Sequence, residues 1–194
     1  VEVIASDGQQ QTLESEHILV ATGCKTREFP DLPFNGLSVV GSSEAMVMEN
    51  QPKDIIIIGA GAIGVEFAYF FNAFGTKVTI VEMMPNILPV EDHEVSIELE
   101  KSFKKSGIEI LSSTKVVGTK DLGNGVEITI QEEGSDPRTL SSEVALIAIG
   151  VAPVLPADFE MDLDRGYIVT DDNYQTSAPG VYAVGDIIGP PWLA

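Results

Sequence analysis

The spacing of apolar residues changes along the chain and divides it into two kinds of structure. Near the start, residues 1–4 alternate apolar and polar positions, and Asp7-Gly8 follows as a pair that favours the turn of a β-hairpin. From residue 54 onward the apolar residues form continuous runs, at 55–58 and 144–149, as expected for strands buried on both faces of a parallel sheet. The pattern therefore predicts an α/β fold with a central parallel sheet.

Two segments have the spacing of amphipathic helices, and a third has the alternation of antiparallel strands. The first helix is expected to end before Gly75. Its recurring apolar positions are Ile63, Phe67, Phe70 and Phe74. The second helix is expected to begin after Asp92 and end before Gly107. Its apolar stripe consists of Val95, Leu99 and Phe103. Beyond it, alternation at 126–130 and a further strand near 138–140 predict a small antiparallel meander.

A glycine-rich turn connects the first buried strand to the first helix. It consists of Gly59, Ala60, Gly61, Ala62, Ile63 and Gly64. A GxGxxG sequence in this setting is typical of a Rossmann unit that binds a dinucleotide. There the first glycine permits the tight turn, the second lets the backbone approach the pyrophosphate, and the third lets helix and strand pack closely. The helix N-terminus offers amide groups to the phosphates.

An acidic residue, Glu82, follows the second strand of this unit and indicates which dinucleotide binds. A carboxylate there accepts hydrogen bonds from the adenosine ribose and repels a 2′-phosphate. Met83 and Met84 come next and supply no positive charge for such a phosphate. We therefore predict NAD(H) rather than NADP(H). A glycine turn that only shapes the core, and an S-adenosylmethionine-binding domain, stay open as alternatives, since both share parts of this pattern.

Composition narrows the classes of partner and compartment. The formal net charge of −19 disfavours binding to nucleic acid or to an anionic membrane. The apolar runs are far shorter than the roughly 20 residues that span a bilayer. The single cysteine, Cys24, cannot form an intramolecular disulfide or a cysteine-rich metal site, and no metal site is expected. Together with the lack of a leader-like pattern, it favours a reducing compartment, the cytoplasm or an organelle matrix.

Three motifs, taken in order, resemble those of the pyridine nucleotide-disulfide oxidoreductases, a family of flavoprotein disulfide reductases. They are Ala21-Thr22-Gly23, residues 59–66, and residues 176–186, which end in Gly185-Asp186. The closing residues 189–194 are most similar to the dihydrolipoyl dehydrogenases of that family.

The resemblance implies a division of the chain into three regions. Residues 1–34 would be the end of an FAD-binding domain, 35–150 an NAD-binding domain, and 151–194 a truncated central FAD-binding region. The strand before Thr22 would lie beside the strand before Gly185. Since the chain starts in a strand-like pattern without Met and stops without a closing element, we expect it to be an internal segment of a longer protein.

For the NAD site, the resemblance assigns roles beyond the glycine turn and Glu82. It implies that Glu66 lies near the nicotinamide, that Val116 lies beside the adenine, and that Gly150 ends the strand flanking the NAD crevice. The chain departs from the family immediately after Gly150. The family often has two basic residues there, whereas this chain has Val151-Ala152 before Pro153. Any contact of those basic residues is therefore absent.

For the flavin, the resemblance implies a partial site. Thr22 and Gly23 correspond to a strand end near the FAD adenosine. Asp186 corresponds to an aspartate that hydrogen-bonds the ribityl chain or the phosphates. Leu193 and Ala194 correspond to residues that approach the isoalloxazine ring.

The activity implied by the resemblance is the reoxidation of dihydrolipoamide with NAD, through FAD and a redox disulfide. It further implies a homodimer that is part of a 2-oxo acid dehydrogenase complex. This chain has no second GxGxxG, no cysteine pair and no C-terminal His–Glu pair. We therefore expect the chain alone to be inactive and to retain no FAD. A related reductase, such as an NADH oxidase or a mercuric reductase, and a non-catalytic NAD-binding module stay open as alternatives.

Overall fold

The computed structural model describes residues 1–29, 32–157 and 160–190, so Leu193 and Ala194 lie outside the described residues. The chain forms two compact units. The central unit is Thr26–Val151, and the terminal unit combines Val1–Lys25 with Ala152–Ala194. Within the described ranges, no helix is both long enough and apolar enough to cross a membrane.

The described residues form strands, three α-helices and one short 3₁₀ helix, Gly185–Ile188. The strands are β1 (Glu2–Ile4), β2 (Gln10–Thr12), β3 (Ile18–Val20), β4 (Cys24–Thr26), β5 (Val39–Val40), β6 (Asp54–Ile58), β7 (Lys77–Val81), β8 (Glu109–Leu111), β9 (Thr114–Asp121), β10 (Val126–Glu132), β11 (Arg138–Ser142), β12 (Val144–Ile147), β13 (Val151–Pro153), β14 (Leu163–Asp164), β15 (Tyr167–Ile168) and β16 (Val181–Ala183). The α-helices are α1 (Ser42–Met46), α2 (Ala62–Ala73) and α3 (His93–Ser106).

The central unit is built on a five-stranded parallel sheet with the order β5-β12-β6-β7-β8. β6 and β12 are the continuous apolar runs of the sequence, and nearly all of their side chains are buried. Alternate residues of β6 face opposite sides. Ile55 and Ile57 pack with α2 and α3, whereas Ile56 and Ile58 pack against the meander β9–β11. The α/β fold with a parallel sheet and an antiparallel meander is therefore confirmed.

Both predicted helices form, and each buries part of the apolar stripe expected from the sequence. In α2, Ile63 and Phe67 pack against the core as expected. Phe70 and Phe74 are 50% and 65% exposed. The buried residues of α2 are Gly64, Val65, Ala68 and Phe71. Small residues on that face let the helix approach the sheet, so the prediction was wrong for Phe70 and Phe74 only. In α3, Leu99 and Phe103 pack with the core as expected. Val95 is exposed, whereas Ser96 is buried and its hydroxyl donates to backbone oxygens, including that of Asp92.

The terminal unit consists of short strand pairs around a small apolar cluster. β1 and β2 form the predicted hairpin, and β14 pairs with β15. β3 and β16 run parallel, with Ile18 opposite Val181. This pairing confirms the expectation that the strands before Thr22 and Gly185 lie side by side. The buried apolar cluster of the terminal unit contains Val20, Ile168, Val181, Ala183 and Ile187.

Candidate functional site

The carboxyl end of the parallel sheet brings the glycine turn to the point where the strand order reverses. β7 and β8 lie on one side of β6, and β12 and β5 lie on the other. The residues that leave β6 and β12 stay adjacent, because the Ala148 N–H donates to the Ile58 oxygen at 2.8 Å. Such a switch point opens a crevice beyond the strand ends, where α/β proteins bind their ligands.

Gly59 and Gly64 lie where a side chain has no room. Gly59 has φ +101°, and a Cβ there would stand 2.4 Å from the Ala148 oxygen. A Cβ on Gly64 would stand 2.1 Å from the Gly59 oxygen. Both obstacles are backbone atoms, which cannot move aside like the end of a flexible side chain. These two glycines therefore allow α2 to start directly against the strand ends.

Gly61 has the opposite environment. A Cβ there would meet no atom within 4 Å, and its φ of −71° is accessible to any residue. Gly61 is the N-cap residue of α2, and no side chain caps this end of the helix. The first amides of a helix have no acceptor within the helix, and they carry the positive end of its dipole. Open space beside uncapped amides is an arrangement that fits an anionic group such as a pyrophosphate.

Glu82 lies at the same edge of the sheet, immediately after β7. The residue is only 7% exposed. Its carboxylate accepts the Ala60 N–H at Oε2 and the Met84 N–H at Oε1, each at 2.7 Å. Because each carboxylate oxygen has two acceptor sites, both oxygens can still accept a hydrogen bond from a ribose hydroxyl. Sequence reasoning found Glu82 but missed these partners, since backbone amides leave no mark in residue type.

Two further residues at this edge were not predicted from the sequence. Leu88 and Ser113 have φ of +47° and +50°, a backbone region that residues other than glycine rarely occupy. The Leu88 N–H donates to the Ala60 oxygen at 2.7 Å, and the Ser113 N–H donates to the Met84 oxygen at 2.9 Å. Both residues therefore bind the same two peptide segments that the Glu82 carboxylate holds. Neither residue type signals a left-handed backbone, so no sequence pattern could have found them.

The other three NAD-site candidates also lie in the central unit. Gly150 follows β12, has φ +106°, and would leave a Cβ free of contacts within 4 Å. Glu66 is exposed on α2. Val116 is half-buried in β9 and packs against the apolar cluster on the meander side of the sheet. β9 begins at Thr114, whose N–H donates to the Glu82 backbone oxygen at 2.9 Å.

The flavin-site candidates of the terminal unit gather where β3 and β16 end. Because this pair is parallel, Thr22, Gly23 and Asp186 follow the strands at the same edge. The Thr22 hydroxyl donates to the Val154 oxygen, and the Cys24 Sγ lies 3.3 Å from the Asp186 backbone oxygen. The structure therefore brings the described candidates of this set together. Across the described residues, no cluster of three or more His, Cys, Asp or Glu could hold a metal ion.

Comparison with known proteins places this architecture in a family. The sequence matches the family described as pyridine nucleotide-disulphide oxidoreductase over residues 1–194. A dihydrolipoyl dehydrogenase from Chlorobaculum tepidum is 40% identical over 198 residues, which cover 100% of this chain and 42% of that protein. One from Mycobacterium tuberculosis is 40% identical over 195 residues, with 97% and 41% covered.

Solved structures show the same likeness in three dimensions. The crystal structure of LpdA from Mycobacterium tuberculosis aligns with a TM-score of 0.86 at 30% identity, covering 97% of this chain and 41% of that one. The HOCl-induced flavoprotein disulfide reductase RclA from Escherichia coli, in its Cu(II) complex, aligns with a TM-score of 0.85 at 28% identity, covering 99% and 44%. The chain thus spans about two fifths of the length of these relatives. Fold, motifs and relatives agree, and the chain belongs to the pyridine nucleotide-disulphide oxidoreductase family.

Proposed function

We propose that this chain is the NAD(H)-binding portion of a flavoprotein disulfide reductase, and that the whole protein is a dihydrolipoyl dehydrogenase. One observation carries the proposal: open space at Gly61 and a buried carboxylate at Glu82 lie at the same edge of the sheet, joined through Ala60. A dinucleotide needs both features, one for its pyrophosphate and one for its adenosine ribose. The dihydrolipoyl dehydrogenases at 40% identity support the choice of enzyme.

Within the site, the chain's own residues bind and orient the nucleotide. The turn 59–64 and the first amides of α2 hold the pyrophosphate, and Glu82 accepts the ribose hydroxyls. Val116 lies beside the adenine, Glu66 near the nicotinamide, and Gly150 lines the crevice. When bound, the nicotinamide supplies the hydride exchange with the flavin that this family performs. The residues named here fix where that ring lies.

For the flavin, the chain contributes only part of a site. Thr22, Gly23 and Asp186, with Leu193 and Ala194, would contact FAD in the whole protein. A chain with one cysteine cannot supply two redox thiols, and it has no second GxGxxG for the FAD pyrophosphate. We therefore propose that it neither catalyses the reaction nor retains FAD. We further propose that the whole protein is a homodimer in a 2-oxo acid dehydrogenase complex, in the cytoplasm or an organelle matrix.

The proposal is tested by comparing NADH and NADPH binding in calorimetry. We expect NADH to bind at least tenfold more tightly, about 1.4 kcal/mol, because a 2′-phosphate would approach the buried Glu82 carboxylate. Glu82→Ala should narrow this gap. Glu98→Ala, which removes one charge from the exposed side of α3, should leave the gap unchanged. Equal affinities, or tighter binding of NADPH, would refute the proposal.

A further inference from the structure

The Glu82 carboxylate accepts two backbone amides of the chain, which a side chain that only binds ribose would not need to do. Burying a carboxylate is unfavourable unless it is paired or hydrogen-bonded. None of the ion pairs found among the described residues involves Glu82. Its two bonds at 2.7 Å, to the Ala60 and Met84 amides, are short charge-assisted bonds of the stronger class. The charge is therefore held by backbone amides of two separate segments.

These segments are the phosphate-binding turn and the loop that follows β7. Ala60 belongs to the turn, and Met84 lies two residues beyond Glu82 in the loop. The carbonyl oxygens of the same two residues, Ala60 and Met84, accept the N–H groups of Leu88 and Ser113. Both of these donors have a strained left-handed backbone. Strain of this kind persists only where the surrounding structure enforces it, and it is concentrated at functional sites.

We propose that Glu82 is a positioning residue of the nucleotide site in addition to a ribose ligand. Its carboxylate fixes the spacing between the phosphate-binding turn and the loop 83–88 before any nucleotide arrives. The inference rests on the proposed function for its ligand. This role differs from a ribose contact alone, because the pyrophosphate half of the site also depends on Glu82. Even a nucleotide that makes no favourable contact with the carboxylate should therefore bind less tightly when Glu82 is replaced.

Two substitutions separate these roles. Glu82→Gln keeps the size of the side chain, but its amide has one oxygen acceptor and an NH₂ group that cannot accept from an N–H. It can therefore satisfy only one of the two amides. Glu82→Asp keeps the charge but is one methylene shorter, so its carboxylate is drawn back from the two amides that Glu82 contacts at 2.7 Å. The matched control is Glu98→Gln, which changes the net charge equally from a side chain that is 78% exposed.

The first measurement is amide hydrogen exchange in the nucleotide-free chain, followed residue by residue. We expect exchange at Ala60, Met84 or both to be at least tenfold faster in each Glu82 variant, as for loss of a hydrogen bond to a charged group. Amides inside α2, such as that of Ala68, should stay as protected as in the parent chain, which shows that the variant is folded. Unchanged exchange at both Ala60 and Met84 in folded Glu82→Asp overturns the proposal.

The second measurement is the affinity of each variant for NADH and for NADPH. If Glu82 positions the turn, Glu82→Asp weakens both nucleotides by several-fold, because both place a pyrophosphate against it. If Glu82 is a ribose ligand only, NADH binding falls while NADPH binding stays the same or improves, which overturns the inference. If the parent chain binds neither nucleotide, the proposed function fails, and the exchange measurement still decides whether Glu82 holds the turn and the loop 83–88 together.

Discussion

The two ends of the five-stranded parallel sheet differ in how deeply the carboxylates that connect their segments are buried. At the amino end, the Glu143 carboxylate is 41% exposed; it accepts the Lys53 N–H at 2.8 Å and forms an ion pair with the 88% exposed Lys53 side chain at 3.4 Å. At the carboxyl end, a buried carboxylate, Glu82, is held by the amides of Ala60 and Met84. Exposed ion pairs contribute little to stability, whereas removing one partner of a buried charge is costly.

The difference indicates which end can hold a ligand. The carboxyl end combines left-handed backbone, close backbone contacts and open space at Gly61. Such features are unfavourable for folding by themselves, so they are expected where the chain serves a purpose other than stability. Substitutions at the carboxyl end should therefore separate stability from nucleotide affinity. Those at the amino end should change stability only.

The largest effect is expected for Gly64→Val. Its Cβ would stand 2.1 Å from the Gly59 backbone oxygen, so α2 must shift away from the strand end. We expect a loss of about 3 kcal/mol in the free energy of unfolding, at the upper end of overpacking effects, and a loss of NADH binding. Thermal unfolding and calorimetry measure the two quantities. A variant with the melting temperature of the parent would show that this contact is not a constraint.

Gly61→Ala should affect affinity without affecting the fold, in contrast to Gly64→Val. The added Cβ meets no protein atom within 4 Å, but it would occupy space that the pyrophosphate needs. We expect NADH affinity to fall at least tenfold, about 1.4 kcal/mol, with a larger loss for Gly61→Val. Loss of the favourable N-cap glycine should change stability by less than about 1 kcal/mol. NADH binding equal to that of the parent would refute the role given to this turn.

The contrast between the glycines also shows what a sequence can predict. The order of strand, turn, helix and acidic residue identified Gly59, Gly61, Gly64 and Glu82 as a group, because each element has a signal in residue type or spacing. The sequence assigned each glycine a role by analogy. Only the positions of neighbouring backbone atoms distinguish the open site at Gly61 from the crowded one at Gly64.

Two kinds of feature escaped prediction for physical reasons. The buried face of α2 was predicted only in part, because the helix is apolar on most sides, and close approach to the sheet favours small residues such as Ala68 over Phe70. The left-handed conformations of Leu88 and Ser113 were missed because they are enforced by hydrogen bonds to distant peptide units. Tertiary contacts, rather than local preference, decide both.

Relieving the strain at Ser113 tests whether the carboxyl end is fixed at a cost to stability. Ser113 is exposed and has φ +50°, so Ser113→Gly removes an unfavourable backbone conformation. We expect the variant to be more stable by about 0.5–1 kcal/mol, since the strain relieved exceeds the entropy that glycine adds to the unfolded chain. The control, Ser112→Gly, lies where the backbone is not left-handed and should be destabilising. Denaturant unfolding measures both, and equal shifts in the two variants would argue against strain at Ser113.

The smallest effect is expected at the amino end, where Asp121 joins the meander to the segment before β5. Its carboxylate accepts from the Gly123 N–H at 2.8 Å, the Asn35 amide at 2.6 Å and the Ser38 hydroxyl at 3.1 Å. The Gly123 bond foremost, and then the Asn35 bond, hold the pKa of Asp121 below the ordinary aspartate value of 3.8. A lowered pKa in the folded state means that the stabilising contribution is fully present above pH 3.8 and is lost as the pH falls through the folded-state pKa.

Asp121→Asn should therefore lower the melting temperature slightly at pH 6–7, and the difference from the parent should shrink below about pH 4, where the parent loses the same contribution. Asp136→Asn provides the control, because it removes an equal charge from an exposed position in the loop between β10 and β11. Nucleotide affinity near neutral pH should be the same in both variants and in the parent. A change in NADH affinity for Asp121→Asn alone would show that a contact at the amino end acts on the site at the carboxyl end. The two ends of the sheet would then not differ in the way described above.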